Sequence, residues 1–279
     1  MFFRRSFRVY ISLIASVLVL PLAAASHDEA GLWLEVGARH DFSKLWHASL
    51  SLGHRLEDNL SQPARWDAGL SLTYRPIRPL RLSAGYVYLR DPSAEEAKPN
   101  LRGNGTQNGW NIDEAFWRDK HRWYFDVAYK WDFAPRWTLA LRERYQYTRH
   151  LAASTFERKL RTMQGGYTGA TETYDGTDYM LTAREAEDKS ASNRHYLRTR
   201  IGLEYHRKRS PYTPFFHYEI ANNLAKDFDI VRHRFTLGSA IRLAKGHELT
   251  AAYVLQLGEI ESGATGRLHA VSVGYEIKF

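Results

Sequence analysis

Apolar side chains recur at every second position along most of this chain, in segments of about 10 to 14 residues, the period and length of strands rather than helices. Eleven segments carry the pattern: Leu32–Arg39, Trp46–Arg55, Arg65–Arg75, Leu80–Tyr88, Trp123–Trp131, Trp137–Thr148, Leu197–His206, Phe216–Ile220, Arg234–Leu243, Glu248–Leu257 and Ala270–Phe279. In Trp66, Ala68, Leu70, Leu72 and Tyr74, for example, the apolar set alternates with Asp67, Gly69, Ser71 and Thr73. Each segment therefore presents one apolar and one polar face. Glu143 breaks the apolar face of its segment, as at a bulge or an interface.

Alternation also describes a water-soluble β-sandwich, whose polar faces meet solvent. Three features favour a membrane. Soluble strands average about 5–6 residues, whereas tilted membrane strands need about ten. Trp46, Trp131 and Trp137 flank short turns, as in an interfacial aromatic girdle. The connections at 41–45, 76–79, 133–136, 207–212 and 244–246 are short, while 91–120 and 151–193 are long, matching short periplasmic turns and long extracellular loops. The expected fold is all-β: a transmembrane antiparallel up-and-down β-barrel. Bacterial single-chain barrels have even strand numbers, so about 12 strands are expected, with 10 as the alternative. An odd eleven would start the first strand on the outside, unless a strand hides in a loop or the N-terminus threads the lumen.

Arg4, Arg5 and Arg8, an apolar run from Val9 to Leu20, and Ala23, Ala24 and Ala25 have the order of a secretory signal peptide. The run is too short for a helical span, which needs about 20 residues. We therefore expect residues 1–25 to be a signal peptide and 26–279 the outer-membrane β-barrel of a Gram-negative bacterium. Removing three arginines from 39 Lys+Arg leaves 36 against 31 Asp+Glu, so the formal charge falls from +8 to +5. With no cysteine, there is no disulfide framework and no thiolate metal site. The final strand, ending in Phe279, resembles the closing strand of outer-membrane barrels, and that resemblance implies recognition by the barrel-assembly machinery.

In hydrocarbon the apolar face must point outward, which turns the polar face to the lumen. That face is rich in arginine: Arg39, Arg55, Arg65, Arg75 and Arg81 in the first half, then Arg142, Arg144, Arg198, Arg200, Arg232, Arg234 and Arg242. Its acids include Glu35, Asp67, Asp126, Glu204, Glu219, Glu248 and Glu276. One reading is a narrow porin-like channel for small anionic solutes or acidic oligosaccharides, since guanidinium pairs bidentately with carboxylate. The other is a closed structural or surface-interaction barrel whose interior is an ion-pair network.

A lipid-modifying enzyme is the third reading. His47 and Ser49 lie two apart on one face, with His269 and Ser272 also close in sequence. A His–Ser pair needs mutual contact and a third group to orient the base, and His47 beside a turn faces away from lipid. No nucleophile elbow is present, so no catalytic residue is expected. The histidines lack metal-ligand spacing, so neither metal nor cofactor is expected. Gly103–Gly105 and Gly165–Gly169 read as turns. The basic residues form no exposed stripe for nucleic acid. In the stretch 151–193, Arg158, Lys159 and Arg161 could pair with Glu185, Glu187 and Asp188 across a hairpin or meet lipopolysaccharide phosphates; otherwise it is a mobile surface loop. Outer-membrane lipids and lipopolysaccharide are the expected surroundings.

The C-terminal half resembles the outer-membrane family known as domain of unknown function twenty-four-ninety. The stretches that carry this are RERYQY (Arg142–Tyr147), YLRTRIGLEY (Tyr196–Tyr205), PFFHYEI (Pro214–Ile220), RHRFTLG (Arg232–Gly238) and VGYEIKF (Val273–Phe279). The N-terminal half shares only the rhythm. The resemblance implies a barrel and brings no catalytic residues. A weaker likeness is to oligosaccharide-specific porins with arginine-lined pores.

Overall fold

The computed structural model describes residues 28–259 and 265–279. The expected signal peptide lies outside these. The chain opens with a meander of β1 (Asp28–Asp41), β2 (Trp46–Glu57), β3 (Gln62–Ile77) and β4 (Leu80–Ser93). Two short strands follow, β5 (Glu96–Leu101) and β6 (Gln107–Asp113), and then the long hairpin of β7 (Phe116–Ala134) and β8 (Trp137–His150). After β9 (Ala153–Thr162), β10 (Thr171–Tyr174) and β11 (Thr177–Lys189), the chain ends in β12 (Ser192–Tyr205), β13 (Tyr212–Asn223), β14 (Asp229–Ala244), β15 (His247–Glu259) and β16 (Thr265–Lys278).

Eleven strands, each containing or overlapping one of the alternating segments, close into a barrel in the order β1-β16-β15-β14-β13-β12-β8-β7-β4-β3-β2. The expected number of about 12, or 10, is corrected to eleven. Consecutive strands pair antiparallel, but β1 and β16 run parallel, in register from Asp28↔Arg267 to Arg39↔Lys278. A parallel closing pair is what an odd number of up-and-down strands requires, because the first and last strands then point the same way. The first strand accordingly starts at the loop end of the barrel, and Phe279 lies at the turn end, where its N–H donates to the Arg39 carbonyl at 3.0 Å. At the β14–β15 turn, Gly246 has φ +78° and packs where a Cβ would meet the Lys278 carbonyl.

The two long connections are not loops. β5, β6, β9, β10 and β11 form a separate antiparallel sheet in the order β10-β11-β9-β6-β5. The expectation of a mobile loop is therefore corrected, while pairing across a hairpin is found: Lys159 Nζ lies 2.6 Å from Glu185 Oε2. Arg158 bonds Glu95 and Glu172, and Ile112 and Leu160 are fully buried in the sheet. Gly105 and Gly166 sit in turns at φ +81° and +80°.

The barrel is inverted relative to a water-soluble domain. Leu34, Val36, Leu52, Leu70, Phe125, Ile201 and Leu237 point outward and are exposed, whereas Arg65, Asp91, Asp126, Gln146, Arg198 and Glu219 are buried inside.

Candidate functional site

The alternation that turns Leu197 and Ile201 outward turns Arg198 and Arg200 into the lumen. The interior they enter has two unlike halves.

The half toward the loops is packed. On one wall Trp33, Val254, Leu268 and Ala270 form a small apolar cluster. On the other, Glu219 of β13 is the hub of an ionic network. Its Oε1 accepts from Arg198 Nη2 at 2.6 Å, and its Oε2 accepts from Arg142 Nη2 at 2.5 Å. Arg234 Nη1 lies 4.0 Å from the same carboxylate, and its Nη2 donates to Gln256 Oε1 at 2.5 Å. Arg198 also donates to Gln146 Oε1 at 3.0 Å. Arg144 grips Asp126 bidentately at 2.6 and 2.7 Å and lies 4.0 Å over the Tyr124 ring. Arg55 and Arg234 both stack on Trp33, at 4.3 and 4.7 Å. Nearer the loops, Arg65 and Lys120 pair with the fully buried Asp91, and Arg194 with Glu259 at 3.0 Å. A salt-bridged interior is thus what Arg65, Arg142, Arg144, Arg198, Arg234 and Glu219 build, with Arg55 stacked on Trp33 beside it.

Within this half lies a cavity of about 150 Å³. Among the described residues its lining includes Arg55, Arg65, Lys120, Arg194, Arg198 and Arg234, with Asp91 and Glu259 as acids. Arg232 also lines it, with its Nε buried and without a hydrogen-bond partner among the described residues.

The half toward the short turns is less filled. Ser49, Ser51, Ser71 and Ser83 line its wall half-buried, and Glu35 is exposed although it points inward. Lys130 holds Glu204 at 2.5 and 2.8 Å, and Arg39 binds Asp41 at 2.8 Å. Arg81 lies within electrostatic reach of Arg75 and Arg39. Arg200 faces this half, and Arg242 sits exposed at the rim beside Arg207 and Arg209. The predicted lumen arginines thus divide into an upper set packed by ion pairs and stacking and a lower set, Arg39, Arg75, Arg81 and Arg200, that is half-buried.

His47 and Ser49 share the inward face of β2, with no hydrogen bond between them among the described residues. His269 and Ser272 are three apart, so they lie on opposite faces and form no pair. His269 shares a hydrogen bond with Tyr253 at 2.5 Å on the outer face. That contact belongs to a set the sequence reading missed. Tyr86 pairs with His121 (2.6 Å), Tyr145 with His195 (2.8 Å) and Tyr218 with His233 (2.8 Å), each across strands and outward. All four histidines lie within the first six residues of a strand that leaves the loop end, so the pairs form one belt. The recurrence of histidine two residues before an outward apolar residue (Trp123, Leu197, Phe235, Val271) was the available signal.

In the sheet, Asp113, Glu157 and Glu187 lie together, with Lys98 and Lys189 already on Asp113 at 3.2 and 2.6 Å. Burial pushes the Asp113 carboxyl up, but bonds from Glu187, Lys189 and Lys98 outweigh it and hold the group below the usual range. With Lys159 3.7 Å from Glu157, three lysines face the three carboxylates, so the cluster is internally neutralised.

No curated protein matches the chain. Among solved structures it is similar to the beta domain of the Bordetella autotransporter BrkA, at 11% identity over 82% of this chain and 79% of that one, with a TM-score of 0.40. The family described as Protein of unknown function (DUF2490) matches residues 30–266, most of the length, and the chain belongs to that family.

Proposed function

We propose that this protein is an outer-membrane β-barrel that is closed toward its long loops and open as a basic cup toward its short turns, a structural and surface-presenting barrel rather than an open pore or an enzyme. The carrying observation is Glu219, buried and shared by Arg142, Arg198 and Arg234 from three strands, beside an apolar cluster that fills the opposite wall. Such a network is costly to break, because removing one member leaves buried charge uncompensated. The inverted distribution supports the membrane: large apolar side chains such as Leu52 and Leu70, each 58% exposed, need hydrocarbon around them. On this reading outer-membrane lipids and lipopolysaccharide surround the barrel, and the barrel-assembly machinery takes its C-terminal strand.

The less filled lower half, with Arg75, Arg81 and Arg200, favours small anionic solutes as visitors to the cup. The test is a planar bilayer. The wild-type protein is expected to give no conductance steps, and Glu219→Gln to give anion-selective ones. Sustained wild-type conductance would replace this reading with the channel.

A further inference from the structure

We propose that the rim at the turn end of the barrel is a docking collar for the headgroups of anionic phospholipids, of the phosphatidylglycerol class. The inference rests on the membrane reading and goes beyond it by assigning a lipid chemistry to one end of the barrel.

Five connections join strands at this end: 42–45, 78–79, 135–136, 206–211 and 245–246. Each carries a cation, and together they hold seven: Lys44, Arg78, Arg136, Arg207, Lys208, Arg209 and Lys245. None of the five carries Asp or Glu. All seven cationic residues are exposed. The acids that flank the connections are held mainly by cations of the strands. Asp41 is bound by Arg39 at 2.8 Å, Glu204 by Lys130 at 2.5 Å and Glu248 by Lys278 at 3.1 Å. Asp132 comes within 3.9 Å of Arg78, with both side chains open to solvent. The loop end lacks this pattern: its tight turns 58–61 and 224–228 carry Asp58 and the adjacent Lys226 and Asp227. Cations distributed over every connection of one rim suit a charged surface that surrounds the barrel.

A soluble polyanion would answer the charge but not what stands beside it. Phe42, Ile77, Phe133, Tyr212 and Leu243 each lie within three residues of one of these cations, one at each connection, and all are exposed. Phe42 is 62% exposed and Ile77 57%. Trp46, Trp131 and Trp137 stand exposed on the adjoining strand ends. Indole rings settle at the boundary between hydrocarbon and water, which sets the turns at headgroup depth. There an apolar side chain can enter the acyl region while the stem of Lys or Arg bends its charge back to a phosphate. A leaflet with net negative charge attracts such cations, and a zwitterionic leaflet offers no net attraction. The pairing of cation and apolar side chain at each turn therefore selects an anionic lipid.

The test folds the full-length mature protein into nanodiscs of phosphatidylcholine alone and of equimolar phosphatidylcholine and phosphatidylglycerol, with matched acyl chains, and compares thermal midpoints. The midpoint should be higher with phosphatidylglycerol, and the gain should vanish at about 1 M salt, where charges are screened within about 3 Å. Arg207→Gln/Lys208→Gln/Arg209→Gln and Lys44→Gln/Arg78→Gln/Lys245→Gln each remove three of the seven cations. Each triple variant should lose about two-fifths of the gain, since cations near an anionic surface contribute similar amounts. Lys226→Gln at the loop end should keep all of it. Heat-dependent gel migration checks that each variant is folded. Equal midpoints in the two lipids, or the full gain in both folded triple variants, overturn the proposal. Binding of soluble polyglutamate without a phosphatidylglycerol gain overturns it in favour of a soluble acidic partner. Failure to fold in either disc removes the membrane reading and the collar with it; folding in both with equal midpoints removes the collar alone.

Discussion

Glu143 is the residue that fits its surroundings least. It stands mid-strand on the outer face of β8, in register with Thr199 and Val127, with no register shift at that point. The bulge expected from the sequence is absent, and the carboxylate is met instead by the Thr199 hydroxyl at 2.9 Å. One hydroxyl replaces little of a carboxylate's hydration, so Glu143→Leu should stabilise the barrel in lipid by about 1 kcal/mol. Urea titration of protein folded in liposomes reads this, and a lower midpoint would contradict it. Glu219 is the opposite case. Glu219→Gln leaves three guanidinium groups around a neutral amide and should cost about 3 kcal/mol in the same titration. A change near zero would mean that the network is not the element closing the lumen.

At the scale of elements, the barrel strands and the five-stranded sheet are held by different means. Barrel strands alternate between unlike media, and their glycines make room for crossing side chains: a Cβ on Gly85 would run into the Tyr124 ring that supports Arg144. The sheet instead relies on ion pairs around a thin core of Ile112, Leu160 and Met180. Its Asp113 carboxyl is held below the ordinary value of 3.8 by Glu187, Lys189 and Lys98 against the opposing effect of burial. A depressed folded-state value adds stability that is present above the unfolded value and lost as pH falls through the folded one. Hydrogen exchange in β6 and β11 should therefore accelerate below about pH 4 while β12–β16 stay protected, with Asp113→Asn showing the acceleration already at neutral pH. Uniform protection of both regions down to pH 2 would contradict it.

At the scale of the molecule, the inversion of the two faces sets the medium. The barrel is expected to fold only in detergent or lipid and to migrate differently on gels before and after heating. A monodisperse, folded protein in plain buffer would refute the membrane assignment. The Tyr–His belt adds a height marker: its four pairs lie at the loop end of the strands, the level at which amphipathic rings would meet headgroups in a bilayer. Replacing all four tyrosines with Phe should lower stability by about 0.5–1 kcal/mol for each hydrogen bond lost.

Period-2 patterning determined the strands by itself, because a side chain's face follows from its parity alone, and all eleven barrel strands were legible for that reason. Parity also assigned Arg142, Arg198, Arg200 and Arg232 to the interior. Closure was a different matter. The parallel β1–β16 pair depends on how strand ends meet after ten hairpin reversals, which no local pattern encodes. The sheet built from β5, β6, β9, β10 and β11 escaped for a related reason: its strands pair across sequence gaps and carry charge on both faces, so no clean alternation marked them. Whether an inward arginine meets Glu219, stacks on Trp33 or faces a cavity is likewise decided by distances across the lumen, where residues far apart in sequence become neighbours.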